Sequence, residues 1–205
     1  GVDRDSYDLI LTSGDAARSE LTLRSLEQRR RLLHLGPDRD RPVYDGLNVE
    51  IVGVEEADLV LCTGLADDEA EGPDDYREVL ARAAARRLTM ICANPDIQVE
   101  RGPNLIWCAG ALAAAYEKVG GEVVYYGKPH RPIYEGAFAR IDEHWRKRVD
   151  RDRVLAIGDS LRTDIAGANG AGLPALLVTG GIHAEEFGGA TPDRARVRAA
   201  CKAAG

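Results

Sequence analysis

Short apolar runs alternate along the chain with longer segments in which apolar and polar residues follow a helical period. This alternation is typical of βαβ units and predicts an α/β fold built on a parallel sheet. The predicted strands cover residues 7–13, 57–63, 88–93, 122–127, 153–158 and 174–180. Because ligand sites in open α/β sheets form beyond the carboxyl ends of the strands, we expect the chemistry in the loops that follow them.

Helices are predicted between these strands. "PDDYREVLARAAARR" begins at Pro73, whose missing N–H costs nothing at a helix start, and has acids in its first turn. "AGALAAAYEKVGG" ends in glycine, a common helix C-cap. The basic run "EQRRRLL" at residues 27–33 is interpreted as the solvated face of a helix.

Two polar stretches rich in proline or glycine divide the chain. They are "LGPDRDRPVYDGL" at residues 35–47 and "YYGKPHRP" further on. The block between them has its own strands, which predicts a domain inserted into a core. The predicted boundaries give a first core segment at 1–34, an inserted α/β domain at 35–121 and a second core segment at 122–205.

Composition narrows the classes of partner. The chain has 34 Asp and Glu against 27 Lys and Arg, which argues against nucleic acid as the main partner. The four cysteines, Cys62, Cys92, Cys108 and Cys201, show no CxxC spacing, so we expect reduced thiols and a cytoplasmic location. No apolar stretch is long enough for a membrane span, and the first residues lack the pattern of a signal peptide.

The stretch "VLAIGDSLRTDIAGANGAG" leads an apolar strand into a loop with two carboxylates, Asp159 and Asp164. Gly158 allows the chain to turn there, so that Asp159 is presented at the end of the strand. Asp164 falls where the next helix begins, and one interpretation is that it only caps that helix. The other interpretation is a Mg²⁺ site, since Ser160 and Thr163 add oxygens beside the two acids.

Lys128 forms the second candidate feature, in "YYGKPH". It directly follows an apolar strand, and Pro129 restricts it to extended geometry. An ammonium beside a metal–carboxylate centre would neutralise phosphate oxygens during transfer.

Together, "GKPH" and "VLAIGDSLRTDIAGA" resemble the third and fourth motifs of the haloacid dehalogenase-like (HAD) hydrolases. "ILTSGDAA", "CANPD" and "CAGALAAAYEKVGGEVVYYGKP" resemble subclass IIA, whose members include phosphatases of sugar phosphates, nucleotides and pyridoxal phosphate. The resemblance implies a Rossmann-like core with an inserted α/β cap. It also implies that Lys128 steadies the nucleophile and the phosphate, that Asp159 ligates Mg²⁺, and that Asp164 supports the metal directly or through water.

One part of the family pattern is missing from the chain. Family members carry a nucleophilic aspartate in a D-x-D motif after the first core strand. The D-x-D pairs of this chain are Asp3/Asp5, Asp38/Asp40 and Asp150/Asp152. The first lies before any predicted strand, the second in a predicted hinge and the third before a strand. We therefore expect the nucleophile, and the first core strands, to be absent from these residues, and the core sheet to be incomplete.

Substrate contacts are expected from four residues: Ser13, Asn94, Asp96 and Ser160. "ANPD" would suit a polar leaving group, although the same residues favour a simple strand-terminating turn. The acids of residues 67–75 are interpreted as a solvated loop. His130 and His183 could border the site but lack the spacing of a zinc centre.

Two hypotheses follow. The first is a Mg²⁺-dependent phosphatase that acts on a small phosphorylated metabolite through an aspartyl-phosphate intermediate. The second is a catalytically inactive fragment or homologue that serves as a binding or interaction module. We expect no membrane or nucleic-acid partner, and self-association through the cap is a further expectation.

Overall fold

The computed structural model describes residues 2–102 and 104–203. The chain divides into a larger unit, Leu11–Gly127, and a smaller unit formed by Gly1–Ile10 together with Lys128–Gly205. Each unit contains helices and parallel strands, which confirms the predicted α/β class. Among the described residues, no helix is both long and apolar enough to cross a membrane.

The larger unit is built on a five-stranded parallel sheet in the order β2-β1-β3-β4-β7. Its strands are β1 (Arg30–Leu35), β2 (Val49–Ile51), β3 (Leu59–Cys62), β4 (Thr89–Cys92) and β7 (Glu122–Tyr125). The antiparallel hairpin of β5 (Gln98–Arg101) and β6 (Asn104–Trp107) forms a separate sheet. Strands β3 and β4 lie at residues predicted as strands, and all four residues of β3 are buried.

Three helices belong to the larger unit: α1 (Ser13–Arg24), α2 (Arg77–Ala85) and α3 (Ala109–Lys118). α2 follows a 3₁₀ turn at Pro73–Tyr76, as the proline and the acids beside it predict. α3 packs against β3, β4 and β7 and also against α2. Leu112 and Tyr116 of α3 are fully buried, and the Tyr116 hydroxyl donates to the carbonyl oxygen of Leu88 at 2.6 Å.

The basic run at residues 27–33 was wrongly interpreted as a helix face. α1 ends at Arg24, and Arg30–Leu35 form strand β1 between β2 and β3. Leu32 pairs with Leu59 and is fully buried. The strand was not predicted because a run of arginines is also typical of the charged face of a helix.

The predicted strand at residues 7–13 is also wrong. Tyr7 and Thr12 have extended backbones, but among the described residues this segment pairs with no strand. Ser13 instead begins α1 behind a capping box, in which the Asp15 N–H donates to Thr12 Oγ1 at 3.1 Å and the Thr12 N–H donates to Asp15 Oδ2 at 2.9 Å.

The predicted domain boundaries differ from the division in the structure. We expected segments to change after residues 34 and 121, whereas the two units divide after Ile10 and after Gly127. The physical reason is strand pairing. β1 pairs with β3, and β7 pairs with β4, so both belong to the sheet of the larger unit.

The smaller unit has the parallel pair β8 (Ala156–Gly158) and β9 (Ala175–Leu177) with helices α4 (Arg131–Trp145), α5 (Ala166–Gly170) and α6 (Arg194–Ala203). Phe138 of α4 is buried in one apolar cluster with Ala168 and Leu173. Phe187 is fully buried in a second cluster with Leu161 and Ile165.

Apolar side chains beside this pair of strands are open to solvent. Leu155 and Ile157 are 51% and 64% exposed, and Leu176 and Val178 are also exposed. Within the described residues, β8 and β9 pair only with each other. The expectation that further core strands are missing from these residues stays a prediction.

Leu112→Ala should lower the free energy of unfolding of the larger unit by about 2–5 kcal/mol, because it removes a buried side chain and leaves a cavity. The matched control is Leu105→Ala, which removes a side chain that is 59% exposed and should cost less than about 0.5 kcal/mol. Urea unfolding followed by Trp107 fluorescence, with Trp145→Phe as background, measures both. Equal losses in the two variants would contradict the burial described here.

Candidate active site

The end of β8 presents the predicted acidic loop. β8 stops at Gly158, Asp159 and Ser160 follow, and a π-helical turn at Leu161–Ile165 leads into α5. The Ser160 hydroxyl oxygen accepts the Thr163 N–H at 3.2 Å and so caps the turn. Asp164 lies inside this turn.

Lys128 and Asp164 are brought together, as the sequence predicted. The Lys128 ammonium donates to Asp164 Oδ1 and forms an ion pair with it. The second carboxylate oxygen, Oδ2, accepts the Ser160 N–H at 3.1 Å. The Asp164 side chain is only 12% exposed, whereas Lys128 is 54% exposed. A mostly buried carboxylate therefore fixes a cation that remains open to a ligand.

The charge of Asp164 is stabilised where it lies. Burial raises the pKa of this carboxyl. The hydrogen bonds from Lys128 and from the backbone N–H groups of Ser160 and Asp159 lower the pKa by more than burial raises it. The net effect places the pKa of Asp164 below its ordinary value. Asp164 is thus anionic at neutral pH, and this holds Lys128 in place.

Asp159 is positioned by the loop that follows β9. The Ile182 N–H donates to Asp159 Oδ2 at 3.1 Å. A Cβ atom on Gly181 would lie 2.1 Å from the same oxygen, so only glycine admits the carboxylate there. Sequence reasoning missed these residues, although the pair of glycines after a predicted strand was a signal for a close approach of the backbone.

Gly158 has the corresponding role for Asp164. A Cβ atom on Gly158 would lie 2.2 Å from Asp164 Cγ. The two acids are therefore each packed against a glycine, Asp159 against Gly181 and Asp164 against Gly158.

Tyr134 of α4 also lies beside the site and was not predicted. Burial raises the pKa of its hydroxyl, and the negative charge of Asp164 raises it further. A Cβ atom on Gly167 would lie 2.2 Å from Tyr134 Oη and 2.9 Å from Pro129 Cα. Gly167 thus allows α5 to approach both Tyr134 and the proline that follows Lys128.

His183 contacts the first residue of the π-helical turn. Its Nε2 accepts the Leu161 N–H at 3.4 Å, and its Nδ1 lies 2.8 Å from Glu186 Oε2. His183 therefore contacts the backbone of the acidic loop, and its place beside a substrate stays a prediction. His130 precedes α4 as its N-cap residue.

Three predicted substrate residues belong to the larger unit. Ser13 begins α1, and its Cβ lies 3.4 Å from the Cβ position of Gly127. Asn94 Oδ1 accepts the Asp96 N–H at 3.1 Å, so the turn interpretation of "ANPD" is seen directly. The Asp96 carbonyl oxygen accepts the N–H of Gly110 in α3 at 3.0 Å. Contact of these residues with a substrate stays a prediction.

The D-x-D pairs keep their predicted places with one correction. Asp38 and Asp40 do not lie in a hinge, because they form a 3₁₀ turn that follows β1 in the larger unit. Asp3 precedes a 3₁₀ turn, and Asp150 accepts the Asp152 N–H in a turn before β8.

The chemistry of the donor set decides which metal could bind. No group of three or more His, Cys, Asp or Glu side chains suited to a metal occurs in the part of the chain that the structure describes. Asp159 and Asp164 offer two carboxylates on one loop, and Asp164 already accepts three hydrogen-bond donors. This set fits Mg²⁺, which keeps several waters and takes one or two carboxylates with substrate phosphate. It does not fit a closed zinc site.

Comparison with solved structures identifies the family. A hydrolase of the haloacid dehalogenase-like family from Brucella suis 1330 is 50% identical, with a TM-score of 0.78 over 91% of this chain and 70% of that one. The chain belongs to the haloacid dehalogenase-like hydrolases. The family model described as HAD-hydrolase-like matches residues 125–198 of this HAD chain, which include Lys128, Asp159 and Asp164.

More distant HAD relatives have named activities. Ribonucleotide monophosphatase NagD of Escherichia coli K12 is 32% identical over 109 residues, which are 53% of this chain and 40% of NagD. The glycerol phosphate phosphatase Rv1692 of Mycobacterium tuberculosis, solved with magnesium, is 27% identical, with a TM-score of 0.59 over 79% of this chain and 47% of that one. The HAD chain thus spans about two fifths of the length of NagD.

Gly167→Ala should lower the free energy of unfolding of the smaller unit by about 1–3 kcal/mol, since its Cβ would force Tyr134 and the turn at Pro129 apart. Gly170→Ala in the same helix is the matched control, because nothing lies within 4 Å of its Cβ position. The control should be neutral or stabilising by up to about 1 kcal/mol. Urea unfolding followed by Trp145 fluorescence, with Trp107→Phe as background, distinguishes the two. A Gly167→Ala variant as stable as the control would show that the close contact is not needed.

Proposed function

We propose that this chain provides the cation and the metal-binding carboxylates of a Mg²⁺-dependent phosphatase for a small phosphate monoester. The observation that carries the proposal is the ion pair between Lys128 and Asp164 on the loop that also holds Asp159. The names of the HAD relatives, NagD and glycerol phosphate phosphatase, support a phosphorylated small molecule as the substrate class.

Lys128 acts on the phosphoryl group. Its ammonium is half exposed, and its carboxylate partner is mostly buried, so the cation is fixed without being covered. A fixed cation stabilises the charge that spreads over the phosphoryl oxygens during transfer, and it costs no reorganisation at that moment. Asp164 is therefore a positioning residue for Lys128 as well as a support for the metal.

Asp159 would hold Mg²⁺, with Asp164 as its support directly or through water. The bound ion would supply charge neutralisation of the phosphate oxygens. Asp159 accepts the Ile182 N–H on Oδ2. Its other carboxylate oxygen, Oδ1, would bind the ion. The contact with Ile182 fixes the direction in which the carboxylate points.

Ser160 would bind a phosphate oxygen. Its hydroxyl oxygen already accepts the Thr163 N–H, so its own O–H is available as a donor. Ser13, Asn94 and Asp96 are further candidates for contact with the substrate.

The nucleophilic aspartate of this reaction would lie outside these 205 residues. Within the described part of the smaller unit, no D-x-D pair follows a strand. The exposed apolar residues beside β8 and β9 support this proposal, since further strands would cover them and pair with the open edges. In the complete enzyme, the aspartate would take the phosphoryl group and water would release it.

The second candidate function is an inactive binding or interaction module. The same exposed residues favour it, because an apolar sheet face of this kind also suits a partner chain. Activity separates the two candidates.

The 205-residue chain alone should show no Mg²⁺-dependent turnover of p-nitrophenyl phosphate above its Lys128→Ala variant. A longer chain that adds upstream residues with a strand and a D-x-D motif should turn the ester over, and Lys128→Ala should abolish that activity. The assay measures released p-nitrophenol with and without Mg²⁺.

Turnover by the 205-residue chain would mean that it contains its own nucleophile. Asp40→Asn and Asp38→Asn would then be the variants to measure, because this D-x-D pair follows β1. An inactive longer chain that still binds a partner protein would support the module instead.

A further inference from the structure

The π-helical turn of the acidic loop begins with backbone N–H groups that need acceptors. A helical turn offers no internal acceptor to its first N–H groups. Within the loop, Asp164 Oδ2 accepts the Ser160 N–H at 3.1 Å, and Ser160 Oγ accepts the Thr163 N–H at 3.2 Å. The Leu161 N–H lies between these two and donates instead to Nε2 of His183, 22 residues later in the chain, at 3.4 Å.

This contact determines where the His183 ring carries its proton. A ring nitrogen that accepts a hydrogen bond has no proton, so the proton of the neutral ring is on Nδ1. Nδ1 lies 2.8 Å from Glu186 Oε2, which accepts its N–H. The ring centroid lies 5.8 Å from that of Phe187, which is fully buried in the cluster with Leu161 and Ile165. The His183 side chain is only 20% exposed, so hydrogen bonds and packing both hold the ring.

The residue before His183 contacts the proposed metal ligand. The Ile182 N–H donates to Asp159 Oδ2 at 3.1 Å. The His183 ring accepts the N–H of Leu161, which is two residues beyond Asp159. Consecutive residues after β9 therefore hold the loop on both sides of Ser160. The first contact directs the carboxylate, and the second fixes the backbone that carries it.

We propose that His183 is a positioning residue for the Mg²⁺ ligand Asp159 and that it acts through its Nδ1-protonated tautomer. Nε2 holds Leu161 in place, Glu186 keeps the proton on Nδ1, and the Ile182 N–H then meets the carboxylate in the orientation that binds the ion. When the loop populates other arrangements, the apparent affinity for the ion falls in proportion to the fraction that keeps this one. The inference rests on the proposed function, because it takes Asp159 as a ligand of Mg²⁺.

The tautomer is measured on the unaltered ¹⁵N-labelled chain. A long-range ¹H–¹⁵N spectrum of the histidine rings distinguishes a protonated ring nitrogen from an unprotonated one by its chemical shift. At neutral pH, His183 should show an unprotonated Nε2 and a protonated Nδ1. A His183 ring with a proton on Nε2 would overturn the proposal, because the Leu161 N–H would then lack its acceptor.

Two variants that differ by one methylene test the role in metal binding. His183→Gln places an amide oxygen near the position of Nε2, where it can accept the Leu161 N–H. The shorter side chain of His183→Asn ends near the position of Nδ1 and cannot reach that N–H. Titration of each ¹⁵N-labelled chain with Mg²⁺, followed by the amide signals of Asp159 and Ser160, gives the dissociation constant.

His183→Asn should raise the dissociation constant for Mg²⁺ by about threefold or more, since the loop loses one hydrogen bond. His183→Gln should stay within about twofold of the unaltered chain, because the acceptor is restored. His144→Asn is the matched control. It changes an exposed histidine of α4 and should bind Mg²⁺ like the unaltered chain.

Equal binding by the unaltered chain and a folded His183→Asn variant would overturn the inference and leave the metal site intact. A folded His183→Gln variant that binds as weakly as His183→Asn would also overturn it, because the acceptor is what the role requires. If His183→Asn loses its native spectrum, the binding of His183→Gln decides by the same twofold limit. No saturable shift at Asp159 and Ser160 in the unaltered chain would instead overturn the proposed function, and this inference with it.

Discussion

A mostly buried carboxylate, Asp164, holds the acidic loop and the cation of this chain in one arrangement. It accepts the Lys128 ammonium and the backbone N–H groups of Ser160 and Asp159. A carboxylate in this position would be costly without such donors, so the loop must fold around it. The glycines at 158 and 167 are consequences of the same constraint, because the first contacts Asp164 and the second admits Tyr134 beside it. The end of β8, the acidic loop and the start of α5 all pack around the Asp164 carboxylate or the residues that contact it.

The sequence predicted those features that depend on local pattern. β3, β4, β7, β8 and β9 lie within predicted strands because each is a short apolar run. β1 was not predicted, because the arginines beside its buried leucines are also typical of a charged helix face. The strand is defined by its pairing with β3, which local sequence does not show. Residues 7–13 have the composition of a strand, but composition supplies no partner for the backbone. The division of the structure into two units could not be found from composition either, since the pairing of β7 with β4 joins segments distant in sequence.

The sequence predicted the part of the site that depends on residue charge and on position after a strand. Lys128 and Asp164 meet because each follows or flanks the end of a strand. The contacts of Asp159 with Ile182, and of Gly167 with Tyr134, join segments that are distant in sequence, so spacing alone could not find them. The family match supports the reaction class, whereas the roles of single residues rest on the geometry of the loop.

Metal binding by the acidic loop tests the account most directly. Mn²⁺ is a paramagnetic substitute for Mg²⁺ and broadens NMR signals near the place where it binds. In the ¹⁵N-labelled chain, low concentrations of Mn²⁺ should broaden the amides of Asp159, Ser160 and Lys128 first. Asp159→Asn should remove this broadening, whereas Asp152→Asn, which changes an acid in the turn before β8, should leave it intact. Unchanged broadening in Asp159→Asn, or broadening confined to the acidic segment at residues 67–75, would contradict the metal site.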